Sequence, residues 1–298
     1  MNPGSRSGKG QKLWKIWESS LRDSGMTFDS VVTQGPGDAF RICMASHDID
    51  VLVAVGGDGT ISEVLDGIIQ SGNPQLRLGV LYSGTSPDFC RFHGIPVDPQ
   101  KAVATLISGR TRNVDVVRIK HSVANGAGRI SHFGCSCNIG LGASVARFSN
   151  QVRWVLGDGL GTSMAVIRAL MLSTPIDLDL EIDGEKQSLA RVNNISILKN
   201  PYIASGLKLN LNIMPDDGTL QLVGIQARSR MGLCALLPGF YSGKAASSRC
   251  VFIRKCTRIR VHSRQPQEVE YDGDPRGYLP VEIQVLPRAL KLIGGSYE

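Results

Sequence analysis

The spacing of hydrophobic positions changes character near residue 112. Before it, Leu13, Ile16, Trp17 and Leu21 recur at helical intervals and predict a helix over Gln11–Ser24 with one apolar face. Phe28–Thr33 reads as a short strand, and Asp38–Ser46 as a helix opened by an acidic residue after Pro36-Gly37. Val51–Val55 is an unbroken apolar run, the pattern of a strand buried on both faces of a parallel sheet. Ile61–Ile69 reads as helix, Arg77–Tyr82 as strand and Pro99–Ser108 as helix. Strand and helix in alternation predict an α/β layer around a parallel sheet.

From Asn113 onward, short β-branched segments are separated by Gly, Asn and Asp. They are Val114–Ile119, Ile130–Cys137, Ile176–Ile182, Arg191–Leu198, Leu220–Ile225, Thr257–His262 and Val281–Val285. That spacing predicts an antiparallel sandwich or barrel. Helical patterns near Gly161–Leu172 and Met231–Tyr241 interrupt it. The chain therefore divides into an α/β domain, residues 1–112, and a β-sandwich domain, residues 113–298.

Composition narrows the class. A chain of 298 residues can hold two cores, and 42% hydrophobic with 20% charged residues excludes global disorder. The opening MNPGSRSGKG has no apolar signal region behind it. The longest apolar stretch, Gly161–Leu172, carries Arg168, ends before Pro175 and is too short to span a bilayer. These features predict a cytoplasmic protein. Seven irregularly spaced cysteines argue against a disulfide framework, and Cys135 and Cys137 read as buried thiols, because nothing nearby completes a tetrahedral metal set. A net charge of +7 favours anionic partners. With 6% aromatic residues and no zinc-finger, RNP or basic-helix signature, nucleic acid is not expected among them.

The strongest chemical signal is VLVAVGGDGT, Val51–Thr60, running from the buried strand into a helix start. Glycines let backbone approach a bulky anion, and a helix N-terminus offers amides and a positive dipole end to phosphate. Asp58 would repel phosphate unless Mg²⁺ or a cationic group stands beside it. Alone, the segment is equally well read as a tight strand-to-helix turn.

Five segments stand in order along the chain, one of them extending this turn. Asn2-Pro3-Gly4-Ser5 is followed by Gly8 and Gly10; GGDGTISEV spans Gly56–Val64; SGTSPDFCR spans Ser83–Arg91; MPDDGTLQL spans Met214–Leu222; VEYDGDP spans Val269–Pro275, with VEIQVLPRALKLI behind it. Together they resemble the diacylglycerol kinase catalytic family, which includes the bacterial lipid kinases and their sphingosine and ceramide kinase relatives. The resemblance covers nearly the whole chain. It implies a phosphofructokinase- or NAD-kinase-like α/β domain, a β-sandwich and a nucleotide cleft between them. It implies an ATP-dependent lipid kinase that transfers the γ-phosphate to a lipid hydroxyl, diacylglycerol or a similar lipid, at a membrane surface. It assigns ATP to Asn2, Pro3, Gly4, Ser5, Arg6, Thr33, Gly56, Gly57, Asp58, Gly59, Thr60, Glu63 and Thr85. It assigns a structural Mg²⁺ to the Asp217 carboxylate and the carbonyls of Met214 and Thr219. Hard oxygen donors suit that ion, although Asp-Gly is also a favoured turn pair. Asp58 would stand beside the Mg²⁺ that bridges the phosphates, and Asp274 would accept the proton of the lipid hydroxyl.

The chain departs from the family pattern in four places. Asp274 replaces the family Glu and is one methylene shorter; Ser62 and Pro87 each replace Asn. Met1 falls directly before Asn2, so the apolar strand expected ahead of the opening loop is absent. Either the start is truncated or another segment fills that sheet position. For the lipid side, Trp154–Leu172 is a greasy wall or a core helix. Arg249–Arg264 is a basic stripe for anionic lipid or a solvated face, with Arg258 and Arg260 opposite Ile259 and Val261. A nucleotide-binding protein of the same fold with little catalysis, or a sphingoid or NAD-type kinase, is the alternative. The reading leaves a homodimer open.

Overall fold

A computed structural model describes the chain apart from residues 124–125, 149–165, 167, 173, 204–206, 237, 240–244 and 295–298, and apart from the side chains of residues 6, 7, 9, 203, 207 and 246. The chain forms two compact units: Met1–Val116 with Pro287–Glu298, and Val117–Leu286. The division falls inside two long strands, β3 (Thr111–Ser122) and β15 (Asp274–Ile293), and the end of the chain returns to the first unit.

The first unit holds β1 (Val51–Gly56) and β2 (Arg77–Tyr82), paired in parallel from Val51↔Arg77 to Gly56↔Tyr82. The end of β15 extends the sheet in parallel through Lys291↔Arg77 and Leu292↔Leu78. Alternation along fully apolar strands sorts the packing. Val51, Val53, Val55, Leu81 and Ile293 share one cluster with Trp17 and Leu21 of α1 (Lys9–Asp23) and with Ala102, Val103 and Leu106 of α5 (Pro99–Ser108). Asp98 caps α5 by accepting from the Lys101 N–H at 3.0 Å, with Pro99 behind it. The helix α3 (Asp58–Ser71) also packs on β1 and β2, and α2 (Asp38–Ala45) lies against α3. On α1 the expected apolar stripe is narrower than its spacing suggests: Trp17 and Leu21 are buried, whereas Ile16 is exposed.

Phe28–Thr33 is not a strand. Only Met1 and Asn2 stand between it and β1. The Met1 ammonium donates to Val31 O at 2.6 Å, the Thr33 N–H to Met1 O at 2.9 Å, and the Asn2 N–H to Val55 O at 2.9 Å. Two residues make the hydrogen bonds of one strand step, too few for a ladder, and Val31 and Val32 stay exposed.

The second unit is built on an antiparallel sheet in the order β12 (Val251–Cys256), β11 (Leu220–Ile225), β8 (Asn194–Leu198), β5 (Ser136–Gly140), β14 (Glu268–Tyr271), β15, β13 (Arg258–His262), β6 (Ile176–Ile182), β7 (Glu185–Val192), beside a two-stranded antiparallel pair of β9 (Tyr202–Ile203) and β10 (Leu207–Lys208). β4 (Gly128–Phe133) pairs with β3, which pairs with β15. Residues from both ends of the order, Leu222 and Ile197 at one and Leu180 and Ile182 at the other, share a single core with Phe133 and Ile283. A sheet whose ends bury the same core is curled upon itself, as the alternating pattern predicts. Two of its hairpins turn on Asp-Gly pairs with positive φ at both residues, Asp183-Gly184 between β6 and β7 and Asp272-Gly273 between β14 and β15. This is the turn that matches the right-handed strand twist.

Two predicted strands divide. Ile130–Cys137 breaks at Gly134-Cys135, whose N–H groups go to the Asp272 carboxylate instead of a ladder. Arg191–Leu198 breaks at Asn193, whose side chain accepts from the Ala227 N–H at 2.7 Å. Of the predicted helix near Gly161–Leu172, residues 166 and 168–172 are helical and the remainder, with Trp154, lies outside the described residues. The helix expected over Met231–Tyr241 is described as α6 (Arg230–Cys234), with residues 238–239 helical and 237, 240 and 241 outside the described residues.

Candidate functional site

In the first unit the opening loop folds onto the end of β1 and the start of α3. Asn2 Nδ2 donates to Thr60 Oγ1 at 3.0 Å, while Asn2 Oδ1 accepts from the Gly4 N–H at 3.0 Å. Ser5 Oγ lies 2.7 Å from Ser83 Oγ, and the Ser83 N–H donates to Gly56 O at 2.9 Å. Three predicted segments, spread over residues 2–5, 56–60 and 83–85, therefore meet. Glycine makes the meeting close. A Cβ on Gly84 would fall 2.6 Å from the Gly57 Cα, and one on Gly10 would fall 2.1 Å from Ser5 Oγ. No side chain caps α3; its first internal bond runs from the Ile61 N–H to Gly57 O, so residues 58–60 stand at the positive end of the helix.

Asp58 Oδ2 accepts from the Tyr82 hydroxyl at 2.7 Å. Burial, then the charge of Asp58, push the Tyr82 phenol far above its usual range, so it remains a donor. Thr33 is buried, with its hydroxyl toward Met1 O at 3.4 Å, and Thr85 is exposed at the rim. Pro3 and Gly4 lie in the opening loop, Gly59 in the first turn of α3, and the Arg6 side chain is outside the described set. Glu63, on α3, reaches the start of α2. Its two carboxylate oxygens accept from the Gly37 N–H at 2.7 Å and the Ala39 N–H at 3.1 Å, capping α2. Ser62, standing where the family has Asn, is buried, and its Oγ has no hydrogen-bond partner among the described residues.

In the second unit the β14–β15 turn carries three carboxylates. Asp272 accepts from the N–H groups of Gly134, Cys135 and Ser136 at 3.0, 2.9 and 3.3 Å, fixing the turn to the β4–β5 connection. Asp274 opens β15; its side chain is 46% exposed and accepts from Arg276 Nη2 at 3.1 Å. The Arg276 guanidinium also lies 5.2 Å over the Tyr271 ring. Sequence reasoning missed Glu270. It is buried, accepting from Asn138 Nδ2 at 2.5 Å and from the Gly273 N–H at 2.5 Å. Burial, with the charges of Asp272 and Asp274, raises its carboxyl to about 8. Asn138 Oδ1 accepts from Ser196 Oγ, which accepts from Asn194 Nδ2, so a polar chain runs beneath the turn. The only sequence signal was its register: Val269 and Tyr271 face the core, placing Glu270 on the other face.

The metal assignment is corrected by a residue the sequence reading passed over. Met214 O, an Asp217 carboxylate oxygen and Thr219 O do converge, but on the ammonium of Lys199, at 2.8, 2.8 and 3.1 Å. Magnesium binds oxygen at about 2.0–2.1 Å, and a second cation would share the point with a buried ammonium. Met214, Asp217 and Thr219 therefore do not fit a Mg²⁺ while Lys199 is in place. Burial opposes ionisation of Asp217, yet Lys199 and Thr219 overcome it and hold its carboxyl below the ordinary value.

The basic stripe is largely neutralised. Arg258 pairs with Glu282 at 2.6 Å, Arg260 with Glu181 and Glu282 at 3.1 Å, and Arg254 with Glu185. A cavity of about 710 Å³ in the same unit is rimmed by Lys120, Glu181, Lys186, Arg260 and Glu282 and also lined by the apolar Leu180, Val261, Pro280 and Val281. Cys135 and Cys137 are buried thiols. No described helix is long and apolar enough to cross a membrane.

Residues 1–119 match the family model described as the diacylglycerol kinase catalytic domain. Residues 135–294 match the YegS C-terminal NAD kinase beta sandwich-like domain. The chain is 26% identical over 302 aligned positions to the protein named diacylglycerol kinase from Mycobacterium tuberculosis, covering 98% of this chain and 93% of that one. It is 29% identical over 280 positions to the protein named probable lipid kinase YegS from Escherichia fergusonii, covering 91% and 87%. A crystal structure of a candidate diacylglycerol kinase from Bacillus anthracis superposes with a TM-score of 0.80 at 21% identity, over 99% of this chain and 93% of that one. With both domain models matched in order along one chain, this chain belongs to the diacylglycerol kinase catalytic-domain family, with a YegS-type NAD-kinase-like β-sandwich as its second domain.

Proposed function

We propose that this chain is an ATP-dependent lipid kinase that transfers the γ-phosphate of ATP to a lipid hydroxyl, diacylglycerol or a similar lipid. The observation that carries the reading is the convergence of the opening loop and the Ser83 segment on the Gly56–Thr60 turn at an uncapped helix N-terminus. Backbone amides at such a place suit phosphate. The family membership and the kinase names of the relatives support the same reading. The Mg²⁺ that accompanies ATP would neutralise phosphate charge, and Asp58, oriented by Tyr82, is the carboxylate of this turn suited to it. Gly57 and Gly84 leave room for backbone to approach the phosphates. Asp274 accepts the proton of the attacking hydroxyl, with Asp272 anchoring its turn and Arg276 orienting it. Peripheral contact with a membrane delivers the acceptor.

The pairing of Asp274 with Arg276, on an arm one methylene shorter than the family's, favours a second reading: an ATP-binding protein of the same fold with slow turnover. One experiment separates the two. Transfer of labelled γ-phosphate is measured in mixed micelles with diacylglycerol, phosphatidylglycerol, ceramide and sphingosine. A phosphorylated lipid whose yield falls roughly 10²–10⁴-fold in Asp274→Asn, and also drops in Asp58→Asn, supports the kinase. Saturable ATP binding with no product from any acceptor, and turnover appearing only in Asp274→Glu, supports the second reading.

A further inference from the structure

Lys199 is the residue after β8, following the buried strand residues Ile195, Ser196, Ile197 and Leu198, and its side chain is 1% exposed. A lysine this deeply buried needs compensation for its charge and for each of its three N–H donors. The Met214–Thr219 turn supplies both. Nζ donates to Met214 O at 2.8 Å, to Asp217 Oδ1 at 2.8 Å and to Thr219 O at 3.1 Å. The Asp217 carboxylate offsets the buried ammonium, and its other oxygen also meets the exposed Lys255 Nζ at 3.6 Å. The other Asp217 oxygen is held within the turn by Thr219 Oγ1 at 2.8 Å. These are the oxygens that the family pattern points at a divalent ion, and here they are organised around a side chain of the same protein.

We propose that Lys199 is a built-in cation: its ammonium does the structural work of a divalent metal at the Met214–Thr219 turn, so this turn closes without a metal ion. The inference concerns the folded protein and holds whatever the acceptor lipid, or the activity, turns out to be. It has a specific consequence. Truncating Lys199 leaves the three oxygens facing a void that a cation of suitable size can enter, so a divalent-ion site should appear where the parent has none.

The test uses the full chain, free of nucleotide, with Mn²⁺ as the probe. Bound Mn²⁺ is counted by electron paramagnetic resonance, and thermal midpoints are taken in chelator and in excess Mg²⁺. Parent, Lys199→Ala and Asp217→Asn are compared. The expected result is a parent midpoint indifferent to chelator, with no Mn²⁺ signal that depends on Asp217. Lys199→Ala should melt lower in chelator, take up one Mn²⁺ and recover part of the lost midpoint with it. A parent that binds Mn²⁺ tightly and loses it in Asp217→Asn, or that melts markedly lower in chelator, overturns the proposal. So does a Lys199→Ala protein as stable in chelator as the parent. Should Lys199→Ala fail to fold, the parent and Asp217→Asn measurements still decide the question.

Discussion

The tripeptide Asp-Gly-Thr occurs twice among the motif segments, at Asp58-Gly59-Thr60 and at Asp217-Gly218-Thr219, and the two copies have opposite fates. In the first, the tripeptide opens a helix. Its threonine hydroxyl accepts from Asn2 of a distant loop, and its aspartate is steadied by the Tyr82 hydroxyl. In the second, the tripeptide closes on itself. Thr219 donates to Asp217 through both N–H, at 3.1 Å, and hydroxyl, and Lys199 takes the converging oxygens. The first turn gathers partners around a helix end that suits an anion; the second has already acquired its cation. Identical side chains acquire opposite functions because one copy follows a buried parallel strand into a helix and the other sits in a turn before an antiparallel strand.

The comparison breaks most sharply at Lys199. Lys199→Met keeps the volume but removes the cation, leaving Asp217 and two carbonyls facing an apolar methyl. Breaking a buried pair from one side costs about 3–5 kcal/mol when the remaining charge is left unpaired; Asp217 keeps the exposed Lys255 at 3.6 Å, so the loss falls at or below the low end of that range. Chemical denaturation should register that loss, while ATP affinity at the first turn stays as in the parent. The two turns act independently if it does; a parallel loss of ATP affinity at full folding would show that they do not.

Another Asp-Gly step, Asp272-Gly273 of the last motif segment, supplies a pH-dependent contrast. Glu270 beneath it holds its proton to about 8 in the folded protein. A group whose folded value is raised contributes stability that is intact below its unfolded value and is lost as pH rises through the folded one. Parent stability should therefore fall, relative to Glu270→Gln, by on the order of 2–3 kcal/mol as pH rises from about 5 to about 8. Denaturant midpoints across that range measure it; parallel pH profiles for the two proteins would mean that Glu270 is ionised throughout.

At the first turn, Gly84→Ala tests the close approach. Its Cβ would lie 2.6 Å from the Gly57 Cα, backbone against backbone, where no rotamer can yield. A loss of about 1–3 kcal/mol is expected, with weakened ATP binding at temperatures where the protein remains folded. An alanine tolerated without either effect would mean that the Ser83 segment does not pack against Gly57 as described.

Much of this was legible in the sequence, for identifiable reasons. Val51–Val55 and Arg77–Tyr82 announced a parallel sheet because both faces of those strands are covered by helices. The motif segments announced the first turn because glycine at Gly57 and Gly84 is forced by contact. The family match was legible for the same reason, since several such forced positions occur in order. What escaped was governed by distant partners. Phe28–Thr33 has a strand's composition, but only Met1 and Asn2 lie beside it. Glu270 reads as one acid among three until Asn138 and Gly273 bury it. Lys199 is one lysine after one strand; nothing nearby in the sequence says that the oxygens of residues 214–219 surround its ammonium. The arginines of the stripe show their positive charge in sequence, whereas Glu181, Glu185 and Glu282 come to neutralise them from other strands.

The finest test of the comparison changes one hydroxyl in each copy. Thr60→Val and Thr219→Val remove the same oxygen from the same tripeptide. Each breaks one hydrogen bond, with Asn2 at 3.0 Å in the first and with Asp217 at 2.8 Å in the second. Each should lower stability by about 1 kcal/mol, the net worth of one such bond. The difference should appear in binding. Thr60 holds the opening loop onto the helix end, so Thr60→Val loosens that loop and weakens ATP several-fold by isothermal titration. Thr219 acts within a turn that is already closed, where Lys199 and the Thr219 N–H still hold Asp217, so Thr219→Val leaves ATP affinity unchanged. Equal losses of affinity in the two variants would mean that the second turn also serves the nucleotide. Equal indifference would mean that Asn2 positions nothing at the first, and the opening loop would lose its assigned part in phosphate binding.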